Sequence, residues 1–149
     1  MKFHDISNEL IAKIVHTRPL MTGSINSLQY MLKLNMVVLL ACTSLTGSIE
    51  TAFTNCNKLN QIKFGYREWQ NGTDTFSNRS TNISGNINVF ADKYDMEHIM
   101  INLYSSVNGD IKNLKNLKKL WYCHLWKCSC TGSKTDLWND GANIKIFYV

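Results

Sequence analysis

The chain has 149 residues, a formal charge of +5 and 44% hydrophobic residues, which is the size of one domain. No run is long enough to span a bilayer, since the apolar stretch from Met36 to Cys42 is only a strand's length. The opening MKFHDISNEL carries charges where a secretory signal needs an apolar run, so the expected location is the cytoplasm or a cytosol-assembled particle.

Residues 1–19 come first. Ile6, Leu10 and Ile14 recur every four residues, with Asp5 or Ser7 available as a cap. This spacing predicts an amphipathic capping helix over 1–19, ended by Pro19, the only proline.

From residue 20 onward a short phrase recurs. It reads LMTGSI at Leu20 to Ile25, LTGSI at Leu45 to Ile49, ISGNI at Ile83 to Ile87 and VNGDI at Val107 to Ile111. A ladder of apolar residues follows each phrase. After Ile111 it is Leu114, Leu117, Leu120, Cys123 and Leu125; after Ile25 it is Leu28, Met31, Leu34, Val37 and Leu39. After Ile87 it is Phe90, Lys93, Met96, Ile99 and Ile101, with one polar member. After Ile49 it is Phe53, Cys56, Leu59, Ile62 and Phe64, with one extra residue in the first step. Steps of three place side chains on one side of a helical or 3₁₀ turn, and the last step of two is the strand period. Each unit is therefore a turn, a helical segment and a short strand, and neighbouring units must stack to share a core.

The phrase glycines sit at Gly23, Gly47, Gly85, Gly109 and Gly132, so the gaps are 24, 38, 24 and 23 residues. The long gap holds an insertion, Gly65 to Thr81, in which Asn71-Gly72 is a strong hairpin signal. A β-hairpin at about 65–82 is expected to project from the strand end of its coil, carrying Trp69. In the last unit Ile144 and Ile146 are expected to supply the strand, leaving an uncapped C-terminal edge through which an oligomer or assembly could form.

With its L-x-x-L-x-L core and period near 24, the chain resembles a leucine-rich repeat protein over residues 20–149. The G-[SND]-I phrase resembles the plant-like and the bacterial or phage repeat types. It departs from the plant-type repeat by placing Asn26, Glu50, Asn88 and Lys112 where a proline follows Ile. It also places Cys42, Tyr104 and Cys128 where the family has a ladder asparagine. The resemblance implies an α/β solenoid of about five coils, with one short parallel strand per coil and a helical or 3₁₀ convex side.

The residues point away from catalysis. There is no phosphate loop and no G-x-S-x-G, and no histidine has an Asp or Ser in a motif spacing, so an enzyme is not expected. No cofactor is implied. Cys123, His124, Cys128 and Cys130 lack the paired C-x-x-C of structural zinc sites, and His124 alternates outward from Cys123. All five cysteines fall on ladder positions, where they act as small apolar residues with reduced thiols.

In a leucine-rich repeat the residues between ladder positions of the strand face the concave side. Here they include Tyr122, His124 and Trp126 on one strand and His98, Met100 and Asn102 on its neighbour. Phe147 is expected to extend this patch from the last coil. Exposed aromatics and Met anchor interfaces, so a protein partner is expected on the concave face and hairpin. The alternatives are a structural component of an assembly such as a phage virion, and nucleic-acid binding through Lys112, Lys115, Lys118 and Lys119. Those lysines fall between ladder leucines, where a solvated convex face is the expected reading.

Overall fold

The recurring phrase folds as a strand, a glycine of positive φ and a capped turn. The computed structural model describes residues 12–16, 21–42, 44–65, 68–70, 73–75, 82–102 and 106–149; of 16, 68–70 and 73–75 it describes the backbone alone. Ser24, Ser48, Asn86 and Asp110 have extended backbone, and each accepts a hydrogen bond from the N–H two residues on. That bond caps the turn that follows. The turn is 3₁₀ at Ile25–Tyr30, Ile87–Phe90 and Ile111–Leu114. It is a one-turn α-helix, α1, at Ile49–Phe53. The α-helix falls where the first ladder step is four residues instead of three, as its wider turn requires.

In chain order the strands are β1 (Lys13–His16), β2 (Thr22–Ser24), β3 (Met36–Leu40), β4 (Ser44–Ser48), β5 (Gln61–Gly65), β6 (Glu68–Gln70) and β7 (Thr73–Thr75). They continue as β8 (Asn82–Asn86), β9 (His98–Ile101), β10 (Val107–Asp110), β11 (Tyr122–His124), β12 (Ser129–Thr131) and β13 (Ile146–Tyr148). One parallel sheet runs β1-β3-β5-β9-β11-β13. A second parallel sheet runs β12-β10-β8-β4-β2, through the glycine phrases themselves. The expectation of one strand per coil is corrected here: a full coil carries two. The phrase reads as a turn in sequence because of its glycine, yet its backbone pairs with the neighbouring phrase, Gly23 opposite Leu45 and Gly47 opposite Ile83.

The ladder residues fill the space between the sheets. All twenty positions after Ile25, Ile49, Ile87 and Ile111 are at most 2% exposed. Coils sit close enough that a side chain at the phrase glycine has no room. At Gly109 φ is +125°, and a Cβ would stand 2.5 Å from Asn86 Oδ1 and 2.7 Å from Ile87 Cγ1.

Lys93 is the polar rung and is 1% exposed. Its Nζ lies 3.5 Å from Thr54 O and 3.5 Å from the exposed Asp92 carboxylate. Two long contacts offset little of the cost of burying an ammonium. Lys93→Met, which restores an apolar rung, is expected to raise unfolding stability by about 1 kcal/mol or more, read by urea denaturation. A loss of stability would show that the two Nζ contacts outweigh desolvation.

Two other expectations are corrected. Residues 13–16, inside the expected capping helix, form β1, which pairs with β3 through Lys13 opposite Met36 and Ile14 opposite Val37. Ile14 is buried between exposed Lys13 and Val15, a strand alternation, and β1 satisfies the backbone edge of β3. The remainder of the expected helix, 1–11 and 17–19, lies outside the described residues. In the last coil, Tyr122 pairs with Ile146 and Cys123 with Phe147, three residues away from the expected alignment. Asn139 and Asp140 take left-handed φ of 53° and 50° in the turn before the strand, and the chain uses three more residues to reach it than the expected Ile144–Ile146 strand allowed. Ile144 therefore takes the rung of Leu120, and Phe147 turns inward and packs against the core instead of facing the concave side.

β6 and β7 pair antiparallel, with Trp69 opposite Asp74 and Gln70 opposite Thr73, so the pairing brackets Asn71-Gly72.

Candidate functional site

The concave sheet gathers aromatic and imidazole rings around β9, β11 and β13. Parallel register sets Tyr122 beside His98 and His124 beside Met100, and on the other side Ile146 and Tyr148. His98 lies edge-on to Trp121 with ring centres 4.3 Å apart, and 5.6 Å from Tyr122. Tyr122 is 6.4 Å from His124, and His124 is 4.9 Å from Tyr148. These are edge and tilted contacts, the arrangements that the ring quadrupoles favour. Five rings, from β9, β11, β13 and the residue before β11, thus form a continuous row across the sheet.

Cations flank the row. Lys145 Nζ stands 5.6 Å from the Trp121 ring centre, and Lys127 Nζ stands 4.6 Å from that of Trp126. Trp126 occupies the turn after β11, which closes with Cys128 N–H donating to Leu125 O at 3.1 Å.

Three of the expected contact residues are buried beneath this surface. His98, Met100 and Asn102 are 8%, 6% and 0% exposed. Asn102 Nδ2 lies 3.3 Å from His124 Nδ1; an amide nitrogen only donates, so Nδ1 accepts. The Asn102 side chain covers Gly65, whose missing Cβ leaves the space for it. These residues support the patch from below. Tyr122, His124 and Trp126 are half-buried and remain accessible at its surface. The side chain of Trp69 lies outside those described.

Trp121 and Tyr148 belong to the row and are absent from the expected site. Trp121 precedes β11 by one residue, in a row where Asn35, Asn60, Glu97 and Trp121 carbonyls each accept from the next coil. Sequence alternation assigns such a residue to the turn. Tyr148 was hidden by the slipped alignment of the last coil.

Neither ring nitrogen of His98 has a hydrogen-bond partner among the described residues. Burial holds its pKa below the usual 6.5; Lys63 pushes the same way and Glu97 opposes. The neutral ring is therefore favoured in the fold. As pH falls through about 6.5 the unfolded chain takes up a proton that folded His98 resists, and stability declines. The unfolding temperature is expected to drop between about pH 7 and pH 5, and His98→Phe is expected to flatten that slope. Identical slopes in both proteins would remove His98 as the cause.

All five cysteines are thiols. Burial pushes Cys42 and Cys56 up to about 11 and Cys123 up to about 12. Among the described residues no three His, Cys, Asp or Glu side chains converge as a metal site. On the convex side, Lys112 Nζ lies 2.9 Å from Asp110 and Lys119 Nζ lies 2.5 Å from Asp95. Two of the four lysines of the nucleic-acid reading thus face carboxylates of the chain itself.

No family model matches the sequence, and no curated protein matches it significantly. Solved structures do match. The fold is similar to the leucine-rich repeat ectodomain of the plant membrane receptor kinase GASSHO1/SCHENGEN3 from Arabidopsis thaliana, solved in complex with CASPARIAN STRIP INTEGRITY FACTOR 2. That likeness has a TM-score of 0.64 at 20% identity, over 90% of this chain. The chain spans 15% of the length of that receptor ectodomain. An internalin, InlF, from Listeria monocytogenes is similar with a TM-score of 0.49 at 14% identity, over 87% of this chain and 40% of its own. The fold is an α/β leucine-rich repeat solenoid.

Proposed function

We propose that the chain is a non-enzymatic protein-recognition scaffold that binds its partner on the concave sheet. The observation that carries this reading is the row Trp121–His98–Tyr122–His124–Tyr148, with Trp126 and its lysine beside it. Trp121, Tyr122, His124 and Trp126 are half-buried and Tyr148 is exposed, over a buried His98, and accessible aromatic rings on a supported sheet are the side chains that dominate interface energies. The GASSHO1/SCHENGEN3 ectodomain, which shares the fold, was solved in complex with CASPARIAN STRIP INTEGRITY FACTOR 2, and this supports a recognition role here. The five thiols support a reducing, cytosolic setting.

The test compares variants of immobilised protein against a partner recovered from extract. Trp126→Ala is expected to weaken that complex by about 2 kcal/mol or more while leaving the fold nearly intact. The pair Lys115→Ala and Lys118→Ala is expected to change it little. A complex indifferent to Trp126 and lost with the lysines would move the site to the convex face. A complex lost only on deletion of 65–81 would move it to the hairpin.

A further inference from the structure

The six strands of the concave sheet, β1, β3, β5, β9, β11 and β13, contain no aspartate or glutamate. Among the described residues the carboxylates lie elsewhere. Glu50 is in α1, Asp110 is in β10 of the second sheet, and Asp92, Asp95, Asp136 and Asp140 are in turns outside the sheet. Among them Glu97 alone borders it, one residue before β9, in a groove it shares with Lys33, Lys58 and Lys119. Cations do lie on the sheet. Lys13 is exposed on β1, Lys63 is half-buried on β5, and Lys145 is exposed one residue before β13. None of the three makes an ion pair among the described residues.

Parallel register fixes what stands beside Lys63. Val15, Val38, Lys63, Met100, His124 and Tyr148 stand opposite one another in turn and make one row across all six strands. Both ends of the row are exposed, Val15 at 62% and Tyr148 at 54%. The neighbours of Lys63 on either strand are thus Val38 and Met100. A half-buried ammonium between apolar side chains has lost part of its hydration and gained no counter-charge from its own chain.

We propose that the concave face selects an acidic peptide segment, extended along this row, with a carboxylate against Lys63 and an apolar side chain among Tyr122, His124 and Trp126. This rests on the concave-face reading of function and names the partner chemistry that face takes. Strands stand about 4.8 Å apart, so β5 to β11 spans about 10 Å, which an extended segment covers in about three residues. The recognised segment therefore carries an aspartate or glutamate about that far from a large apolar residue. An approaching carboxylate meets Lys13, Lys63 and Lys145 and no like charge within the strands, which speeds encounter, while a basic segment is turned away. Single-stranded nucleic acid is also anionic, but its sites offer aromatic rings on which bases stack flat. The rings here meet one another edge-on or tilted.

The experiment selects displayed random peptides about twelve residues long, enough to cross the six strands, on the immobilised full chain. Enriched peptides are synthesised and titrated by fluorescence anisotropy. They are expected to carry the acidic and apolar pair and to bind more weakly as salt rises. Lys63→Glu is expected to weaken the leading peptide about tenfold or more, and a lysine in place of that peptide's carboxylate is expected to restore binding to this variant. Lys115→Glu, on the convex side, is expected to change nothing. Where Lys63→Glu folds poorly, Lys63→Gln decides: it should weaken the acidic peptide and leave its glutamine counterpart unaffected. Equal loss for both peptides would overturn the proposal, as would failure to enrich any peptide. Peptides without a carboxylate that are lost with Trp126→Ala but not with Lys63→Glu would overturn it and leave the concave reading standing. Peptides indifferent to both substitutions would overturn both. A single-stranded oligothymidine that displaces the leading peptide and binds more tightly would overturn it in favour of nucleic acid.

Discussion

Phe53→Ala is expected to lower unfolding stability by about 3 to 5 kcal/mol. Phe53 is fully buried, with its ring centre 5.8 Å from that of Phe64 and 5.9 Å from that of Phe90. It therefore bridges a turn, its own strand and the next coil, and truncation opens a cavity that the neighbours on both sides cannot fill. In a stacked solenoid each coil is held mainly by the coils next to it, so a loss at a shared ring weakens the interface as well as the rung. A domain of this size has roughly 5 to 15 kcal/mol in total, so the change should shift the denaturant midpoint widely. Leu120→Ala, at a rung 2% exposed, is expected to cost about 2 to 5 kcal/mol. Changes within experimental error would mean that the ladder does not line the shared core.

Gly65→Ala is expected to cost about 2 to 4 kcal/mol. Gly65 ends β5 with φ of +129°, a backbone that a Cβ strains. The added Cβ would also collide with the Asn102 amide oxygen and stand 2.9 Å from the Asn102 carbonyl oxygen. Because Asn102 is fully buried, its side chain has no free space to retreat into. The two contributions separate in a double variant. Asn102→Ser with Gly65→Ala should recover the collision with the amide but not the backbone strain, so the two costs should be less than additive. Full additivity, measured by urea denaturation, would show that Asn102 does not lie over Gly65.

Much of this architecture is legible in the chain because a ladder rung is a local, periodic property. Leu114, Leu117, Leu120, Cys123 and Leu125 could be assigned inward from spacing alone, and the extra residue before Phe53 marked the place where 3₁₀ gives way to α. The second sheet was not legible, because Gly47 and Gly85 look like turn residues and their pairing depends on the neighbouring coil. β1 was not legible either, since Ile6, Leu10 and Ile14 fit a helix and only the open edge of β3 selects a strand. The site was half legible. Alternation along β11 placed Tyr122 and His124 correctly on the concave side. It gave no warning that the outward residues of β9 would be covered, because their burial depends on rings contributed by Trp121 and Tyr122. Phe147 was misplaced because Ile144 and Ile146 alternate as a strand pair would, whereas Ile144 is the buried rung that precedes the strand.

The recognition surface is tested most directly by photo-crosslinking. A photoreactive phenylalanine analogue is placed at position 122 in one protein and at position 115 in another, and each is illuminated in extract. Both positions are accessible, the first half-buried on the concave sheet and the second exposed on the convex side. The concave reading predicts a discrete crosslinked protein from position 122 that disappears when Trp126→Ala is added, and none from position 115. The same crosslinked protein from position 115 alone would contradict it.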